Sequence, residues 1–307
     1  MEEIRVIEKI RALASKYCAA ASPGIVAGIG DDCAVYRPAG AREDLLFTTD
    51  MVIEGIHFRP EQHPADALGH KALARGLSDI AAMGGEPRFC LLSLAVAPWC
   101  GPDWQDQFFR GLLRLSRTTA CPLIGGDIAH AGSVSCDIVV CGGIPKGRVL
   151  RRDGARPGDA IYISGRLGGS ALGLETGSGA AWKRHLRPIP RLALGRALRT
   201  TLKATAAMDL SDGLSLDLKR LCLASGVAAV LERTPPRFPG ASEQQALHGG
   251  EDYELLFTLR PDVAAPPKLE GVMLTRIGTV RPGTPGEIEY LGRPLPPMGY
   301  DHFQQTK

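Results

Sequence analysis

Several features that would place this chain in a familiar class are missing or scarce. Net charge is only +3 over 307 residues, and the Lys and Arg residues are dispersed. Without a basic run or face, no nucleic-acid partner is expected. No stretch of about 18 apolar residues occurs, so neither a membrane-spanning helix nor a membrane partner is expected. The segment Met1–Cys18 reads as an amphipathic helix carrying Glu2, Glu3, Glu8 and Lys9, not as a basic segment leading into an apolar signal core. No Cys-x-x-Cys pair has a matching second pair, which leaves a structural zinc site unsupported. The eight cysteines (Cys18, Cys33, Cys90, Cys100, Cys121, Cys136, Cys141 and Cys222) lie mostly inside apolar segments. They read as buried free thiols and point to a cytoplasmic protein. The Gly-x-x-x-x-Gly-Lys-Ser/Thr string and the His-Arg-Asp and Asp-Phe-Gly pair are also absent, so neither a Walker-type nor a protein-kinase site is expected.

What is present is the composition of a globular protein, 44% hydrophobic and 22% charged. The length exceeds what one hydrophobic core usually serves, so two domains are expected. In the first half, Leu45–Thr49 reads as a strand ending on Asp50. Pro64–Met83 reads as a helix with Leu68, Ala72, Leu73, Leu77 and Ile80 on one face and Gly84-Gly85 at its end. Phe89–Ala97 reads as a strand, Asp103–Ala120 as a helix, and Cys121–Gly125 and Val134–Cys141 as further strands. Between Gly142 and Pro157, Gly, Pro and Arg replace this periodicity. That break sets the expected boundary between an N-terminal domain, 1–145, and a C-terminal domain, 146–307.

The second half opens with a strand at Asp159–Ser164, then a turn through Gly165, Gly168 and Gly169 into a helix from Ser170. Helices at Pro188–Leu198 and Asp212–Ala224 and strands at Val227–Leu231 and Tyr253–Leu259 follow. Pro235–Gly240, Pro261–Pro267 and Pro282–Pro297 read as loops. Mixed elements in both halves predict an α/β protein of the α+β type.

Chemistry-bearing residues recur in short clusters beside glycine or at element ends. Gly28-Ile29-Gly30-Asp31-Asp32 puts flexible glycines before adjacent carboxylates, the hard oxygen ligands magnesium takes; an Asp-rich turn is the structural alternative. Thr48-Thr49-Asp50 closes a strand, with Glu54-Gly55-Ile56-His57-Phe58 beyond it. His57 either meets a phosphate or caps a loop. Ser78-Asp79 lies near the end of a helix, where an acidic residue opposes the helix dipole and predicts an offsetting cation. Gly125-Gly126-Asp127 ends a strand. Asp209-Leu210-Ser211-Asp212-Gly213 opens a helix whose N-terminal amides suit a phosphate, with Ser211 or Asp212 as a helix cap the structural alternative. Gly249-Gly250-Glu251-Asp252-Tyr253 runs into an apolar strand.

Each cluster alone has a structural reading, but their repetition points to a polyphosphate site. A triphosphate carries about four negative charges and meets a carboxylate-rich site only through interposed magnesium ions. Catalysis then rests on positioning and charge neutralisation, which dominate phosphoryl transfer. The clusters therefore predict magnesium, ATP and a small phosphorylated acceptor.

The order and wording of these clusters resemble the thiamine-monophosphate kinase family, in the superfamily that also holds aminoimidazole ribonucleotide synthetase. The matching stretches are GIGDDCAV, TTDMVIEGIHF, KALARGLSDIAAMG, IGGD, GRVLRRDGARPGD, DLSDGLSLDL, HGGEDYELLFT and GYDHF, from Gly28 to Phe303. The resemblance implies transfer of the γ-phosphoryl group of ATP to the phosphate of thiamine monophosphate, giving thiamine diphosphate and ADP. It implies a two-domain aminoimidazole ribonucleotide synthetase-like fold, with an N-terminal α/β domain that makes a homodimer through its sheet and a C-terminal α/β domain closing over the nucleotide.

Carried over motif by motif, the magnesium ligands would be Asp32, Thr48, Thr49, Asp50, Asp79, Asp127, Asp209 and Asp212. The ATP contacts would be Gly126, Asp127, Arg152 and Ser211. Arg152 is preferred to its neighbour Arg151 for its distance to Gly154 and Pro157-Gly158-Asp159. His57, Glu251, Tyr300 and Phe303 would border thiamine monophosphate. The acceptor phosphate is largely ionised near neutral pH, so no general base is assigned.

Other members of the superfamily fit less well. Selenophosphate synthetase would carry a reactive Cys or selenocysteine in a glycine-rich N-terminal segment, and the hydrogenase-maturation relative a C-terminal cysteine; no cysteine follows Cys222. Aminoimidazole ribonucleotide synthetase is the nearest enzyme alternative, but GGEDYEL and GYDHF speak against it. From another class, a nucleotide-binding sensor without turnover would share the fold; the completeness of the acidic set argues against it.

Overall fold

A computed structural model describes residues 3–18 and 23–300. The first part of the chain comprises helix α1 (Glu3–Cys18), strands β1 (Ile25–Ala27), β2 (Ala34–Tyr36) and β3 (Glu43–Ile53), helix α2 (Ala65–Ala82), strand β4 (Glu86–Val96), helix α3 (Pro102–Thr118), and strands β5 (Leu123–His130) and β6 (Ser135–Pro145). These strands form a six-stranded sheet in the order β1-β2-β3-β6-β4-β5. Only the β4–β5 pair is parallel.

β3 shows the two-residue alternation of a half-covered strand: Asp44, Leu46, Thr48 and Val52 are buried, while Glu43, Thr49 and Met51 are exposed on the opposite face. The buried face packs on α2, whose Leu68, Ala72, Leu73, Leu77 and Ile80 join Leu46, Ile138 and Val140 in one core. The expected apolar face of α2 is thus the one that is covered. Gly84, with φ +70°, ends the helix region as expected.

The remaining elements are β7 (Ala160–Ser164), α4 (Gly169–Thr176), α5 (Gly179–Leu186), α6 (Leu192–Ala197), β8 (Ala206–Asp209), α7 (Leu214–Ser225), β9 (Ala228–Leu231), α8 (Glu243–His248), β10 (Leu255–Leu259), β11 (Lys268–Leu269), β12 (Val272–Arg281), β13 (Ile288–Tyr290) and β14 (Arg293–Pro294). They build an eight-stranded sheet in the order β14-β13-β9-β12-β7-β10-β8, with β11 paired to β12. β7 and β10 are buried throughout, which fits their continuous apolar runs. Helix α2 touches β3 and β6 of the first sheet and β8 of the second, so it lies where the two sheets meet.

Element limits differ from the sequence expectation where apolar pattern alone set them. β3 extends beyond Leu45–Thr49, because pairing with β6 continues past the buried middle. β5 runs on through Gly125-Gly126-Asp127 as an exposed strand along β4. The expected helix at Pro188–Leu198 starts at Leu192 and continues to Leu202 as a π-helical turn. α7 begins at Leu214, and no side chain caps it from Ser211 or Asp212. Instead Asp217 accepts from the backbone N–H groups of Asp212 and Gly213, at 3.0 Å each, which corrects the cap reading. β10 begins at Leu255, not Tyr253, because Glu251 and Tyr253 adopt positive φ. The expected loop Pro282–Pro297 contains β13 and β14. The described free cysteines, Cys33, Cys90, Cys100, Cys121, Cys136, Cys141 and Cys222, are buried as expected. Among the described residues, no helix is long and apolar enough to cross a membrane.

Candidate active site

Three carboxylates from distant parts of the chain converge. Asp32 lies in the turn before β2, Asp79 in the last turn of α2 and Asp209 at the end of β8. One oxygen from each lies within 4.8 Å of the others. Burial pushes all three carboxyls above their ordinary values. Repulsion from Asp50, Asp209 and Asp32 adds to it at Asp79, and repulsion from Asp32 at Asp209, whereas Arg152 opposes it at Asp32. Thr48 Oγ1 donates to Asp79 Oδ2, and Ser78 Oγ to Asp209 Oδ2 at 2.7 Å. Asp32 Oδ2 is buried with no hydrogen-bond partner. An orphaned carboxylate oxygen beside the carboxyls of half-buried Asp79 and buried Asp209 fits a hard divalent cation such as magnesium, which takes oxygen ligands and offsets the crowded charge.

Asp79 and Asp209 of this cluster line a cavity of about 660 Å³. Its lining combines the polar Asp50, Asp79, Asp209, Ser211 and Asp212 with the apolar Ile56, Phe58, Ala171 and Leu174. His57, Glu251 and Tyr300 also line it. His57 is held by the Ile53 N–H, which donates to its Nδ1 at 3.1 Å. Asp50 pairs with Arg75 at 2.9 Å; burial nevertheless keeps its carboxyl raised, with Asp212 and Asp137 adding repulsion. Asp212 pairs with Arg220, which also reaches Asp217 at 3.1 Å. Arg152 Nη2 donates to Asp32 Oδ1 at 2.6 Å, whereas Arg151 bonds Asp153 and is 40% exposed. Of the two arginines, Arg152 is therefore the one turned to the cluster.

Glu251 is gripped from below. Lys71, on α2 and only 1% exposed, donates through Nζ to Glu251 Oε2 at 2.8 Å. Burial alone would raise the Glu251 carboxyl, but Lys71, His185 and Arg75 outweigh it and hold it at about 2. Burial and the Lys71 charge lower His185 to about 3, so it stands neutral.

Some expected residues lie elsewhere. Thr49 follows Thr48 in sequence but points to the opposite sheet face, where its hydroxyl donates to Asp137 Oδ1 at 2.6 Å. Asp127 pairs in register with Ser93 on exposed β5, and Ser93 pairs with Asp137, which puts Asp127 on that same face. A Cβ at Gly126 would lie 1.8 Å from the Leu92 backbone oxygen, so close strand approach alone requires glycine there. Phe303 lies outside the described residues.

Lys71, Arg75 and Arg220 went unassigned in the sequence. A signal for the first two exists: Lys71, Arg75 and Asp79 recur every fourth residue, a polar stripe on an otherwise apolar helix.

Comparison with known proteins agrees with this geometry. Residues 30–144 match the family described as AIR synthase related protein, N-terminal domain. Thiamine-monophosphate kinase of Salmonella typhimurium is 39% identical over 312 residues, covering 90% of this chain and 91% of that protein. The Bacillus subtilis thiamine-monophosphate kinase is 33% identical, covering 90% and 93%. The chain belongs to the thiamine-monophosphate kinase family. A solved structure of a family member, described as AaThiL complexed with AMPPCP and TMP, superposes with a TM-score of 0.86 at 30% identity, covering 98% of this chain and 97% of that one. The thiamine-monophosphate kinase fold thus extends over both sheets.

Proposed function

We propose that the chain phosphorylates thiamine monophosphate, transferring the γ-phosphoryl group of ATP directly to the substrate's phosphate and releasing thiamine diphosphate and ADP. One observation carries this reading: the Asp32, Asp79 and Asp209 cluster reaches, through Asp79 and Asp209, a cavity that is also lined by apolar Ile56, Phe58, Ala171 and Leu174 and by an ionised Glu251. Asp32, Asp79 and Asp209 would hold magnesium, with Asp50, Asp212 and the Thr48 hydroxyl beside them. Bound there, the metal supplies charge neutralisation between carboxylates and polyphosphate.

The chain's own groups position the two substrates. Arg152 offers a planar fork of donors to phosphate oxygens once its bond to Asp32 is shared. Of the cavity-lining residues, Ser211 is assigned to ATP and His57, Glu251 and Tyr300 to the acceptor, with Phe303 assigned to the acceptor from the sequence motif alone. The acceptor phosphate is ionised and needs no base, so catalysis rests on orientation and charge.

Residues 1–145 form the ATP- and magnesium-binding and dimerisation domain and residues 146–307 the C-terminal domain. The uncovered sheet face with Met51 51% exposed, and the β5 edge with Ile124 60% and Ile128 66% exposed, suit burial by a second copy of the chain. A homodimer of this kind gives Thr49, Gly126 and Asp127 their place in nucleotide and metal binding. Buried unpaired thiols support a cytoplasmic location.

The experiment is an ADP-release assay with ATP and magnesium, run with thiamine monophosphate, with thiamine, and with neither. ADP release that depends on thiamine monophosphate is expected. Equal release without an acceptor would overturn the reading.

A further inference from the structure

We propose that Lys71 is a positioning residue for the acceptor's heterocycle: its buried ammonium anchors one oxygen of Glu251 and leaves the other facing the cavity to accept a substrate N–H. The inference rests on the cavity being the thiamine monophosphate site. Thiamine's aminopyrimidine carries an exocyclic amine, the donor such an oxygen would take.

The geometry is specific. Lys71 Nζ meets Glu251 Oε2 at 2.8 Å across 180 residues of sequence, from α2 to the loop before β10. Among the described residues no donor takes Glu251 Oε1, while Glu251 itself lines the cavity. A second group steadies the same oxygen. His185 Nδ1 lies 3.4 Å from Glu251 Oε2 and 2.9 Å from Ser170 Oγ. Its ring stacks on Trp182 at 5.0 Å between centroids.

Lys71 points to the tautomer of His185. Its ammonium can only donate, and Nζ lies 3.4 Å from His185 Nε2, which His63 Nε2 also meets at 3.1 Å. With Nε2 accepting, the His185 proton sits on Nδ1, facing Ser170 and Glu251.

The backbone is committed as well. Glu251 adopts φ +63°, disfavoured for a residue with a Cβ, and its N–H donates to Ser211 O at 2.7 Å. The next residue, Asp252, accepts from the N–H groups of Gly168 and Ser170 at the start of α4. An apolar side chain would serve a buried helix position at lower cost than an ammonium. A lysine there makes sense if Glu251 must stay ionised and aimed.

A purely structural tie between α2 and this loop is the competing account, and ligand selectivity separates the two. Binding of thiamine, thiamine monophosphate and a non-hydrolysable ATP analogue would be measured by calorimetry on the wild type, Lys71→Met and Lys71→Gln, with thermal melts alongside. Lys71→Met is expected to weaken thiamine and thiamine monophosphate alike by about tenfold or more, with the ATP analogue within about twofold. Lys71→Gln, which keeps a donor without the charge, should recover part of the loss. Thiamine binding within about twofold of wild type in Lys71→Met, or a proportional loss of the ATP analogue, would overturn the proposal. If Lys71→Met does not fold, Lys71→Gln carries the test with the same split expected. A wild type that fails to turn over thiamine monophosphate defeats the functional reading instead, and shows it before any variant is compared.

Discussion

Ser78 Oγ donates to Asp209 Oδ2 at 2.7 Å, tying α2 to the end of β8 across 131 residues of sequence. Thr48 does the same for Asp79 from β3. Each hydroxyl engages one carboxylate oxygen, and the three carboxyls still converge within 4.8 Å. Helix α2 thus assembles the site: it supplies Asp79, orients Asp209 through Ser78, and carries Lys71 to Glu251 and Arg75 to Asp50.

Magnesium should stabilise the protein in a pH-dependent way. Folded carboxyls raised above their unfolded values bind more protons than the unfolded chain. In metal-free protein their contribution is therefore fully present below the unfolded carboxylate value of about 3.9, and is lost as pH rises through the raised folded values. Metal binding should suppress that loss, adding about 2.7 kcal/mol at a hundred times Kd. Thermal melts from about pH 5 to about pH 8, with and without magnesium, check this. Asp209→Asn should raise the metal-free midpoint at the upper pH and remove both the magnesium gain and turnover. An undiminished magnesium gain in that variant would place the metal elsewhere.

Glu251 has the opposite sign. Its folded value of about 2 lies below the unfolded value of about 4.3, so its contribution is present above the latter and is lost as pH falls toward the former. A shift of that size amounts to roughly 3 kcal/mol at neutral pH. Glu251→Gln should therefore be less stable than wild type at neutral pH, with the gap narrowing below about pH 4 in urea titrations. A gap that stays constant with pH would contradict an ionised Lys71–Glu251 pair.

His57→Ala should raise KM for thiamine monophosphate by about tenfold while leaving KM for ATP within about twofold. The residue lines the cavity with Ile56 and Phe58 and is fixed by the Ile53 N–H. A defect confined to ATP would contradict its place on the acceptor side.

Much of this was legible in the sequence, for identifiable reasons. Asp32 and Asp209 stood out as carboxylates beside glycine or at an element end and Asp79 as an acidic residue opposing its helix dipole, and the core face of α2 followed from its helical spacing. Their convergence was not legible, because it depends on α2 lying between two sheets. Lys71 escaped notice because a lysine on an amphipathic helix normally reads as solvated; here it is 1% exposed. Thr48 and Thr49 read as a unit, yet strand alternation sends them to opposite faces. β13 and β14 were hidden by the Pro- and Gly-rich composition around them.

The most direct measurement is phosphorus NMR of the protein incubated with magnesium, ATP and thiamine monophosphate. The expected result is loss of the ATP γ and thiamine monophosphate resonances, with coupled diphosphate signals of thiamine diphosphate and ADP rising in equal amounts. ADP accompanied by inorganic phosphate, with thiamine monophosphate unchanged, would contradict the account.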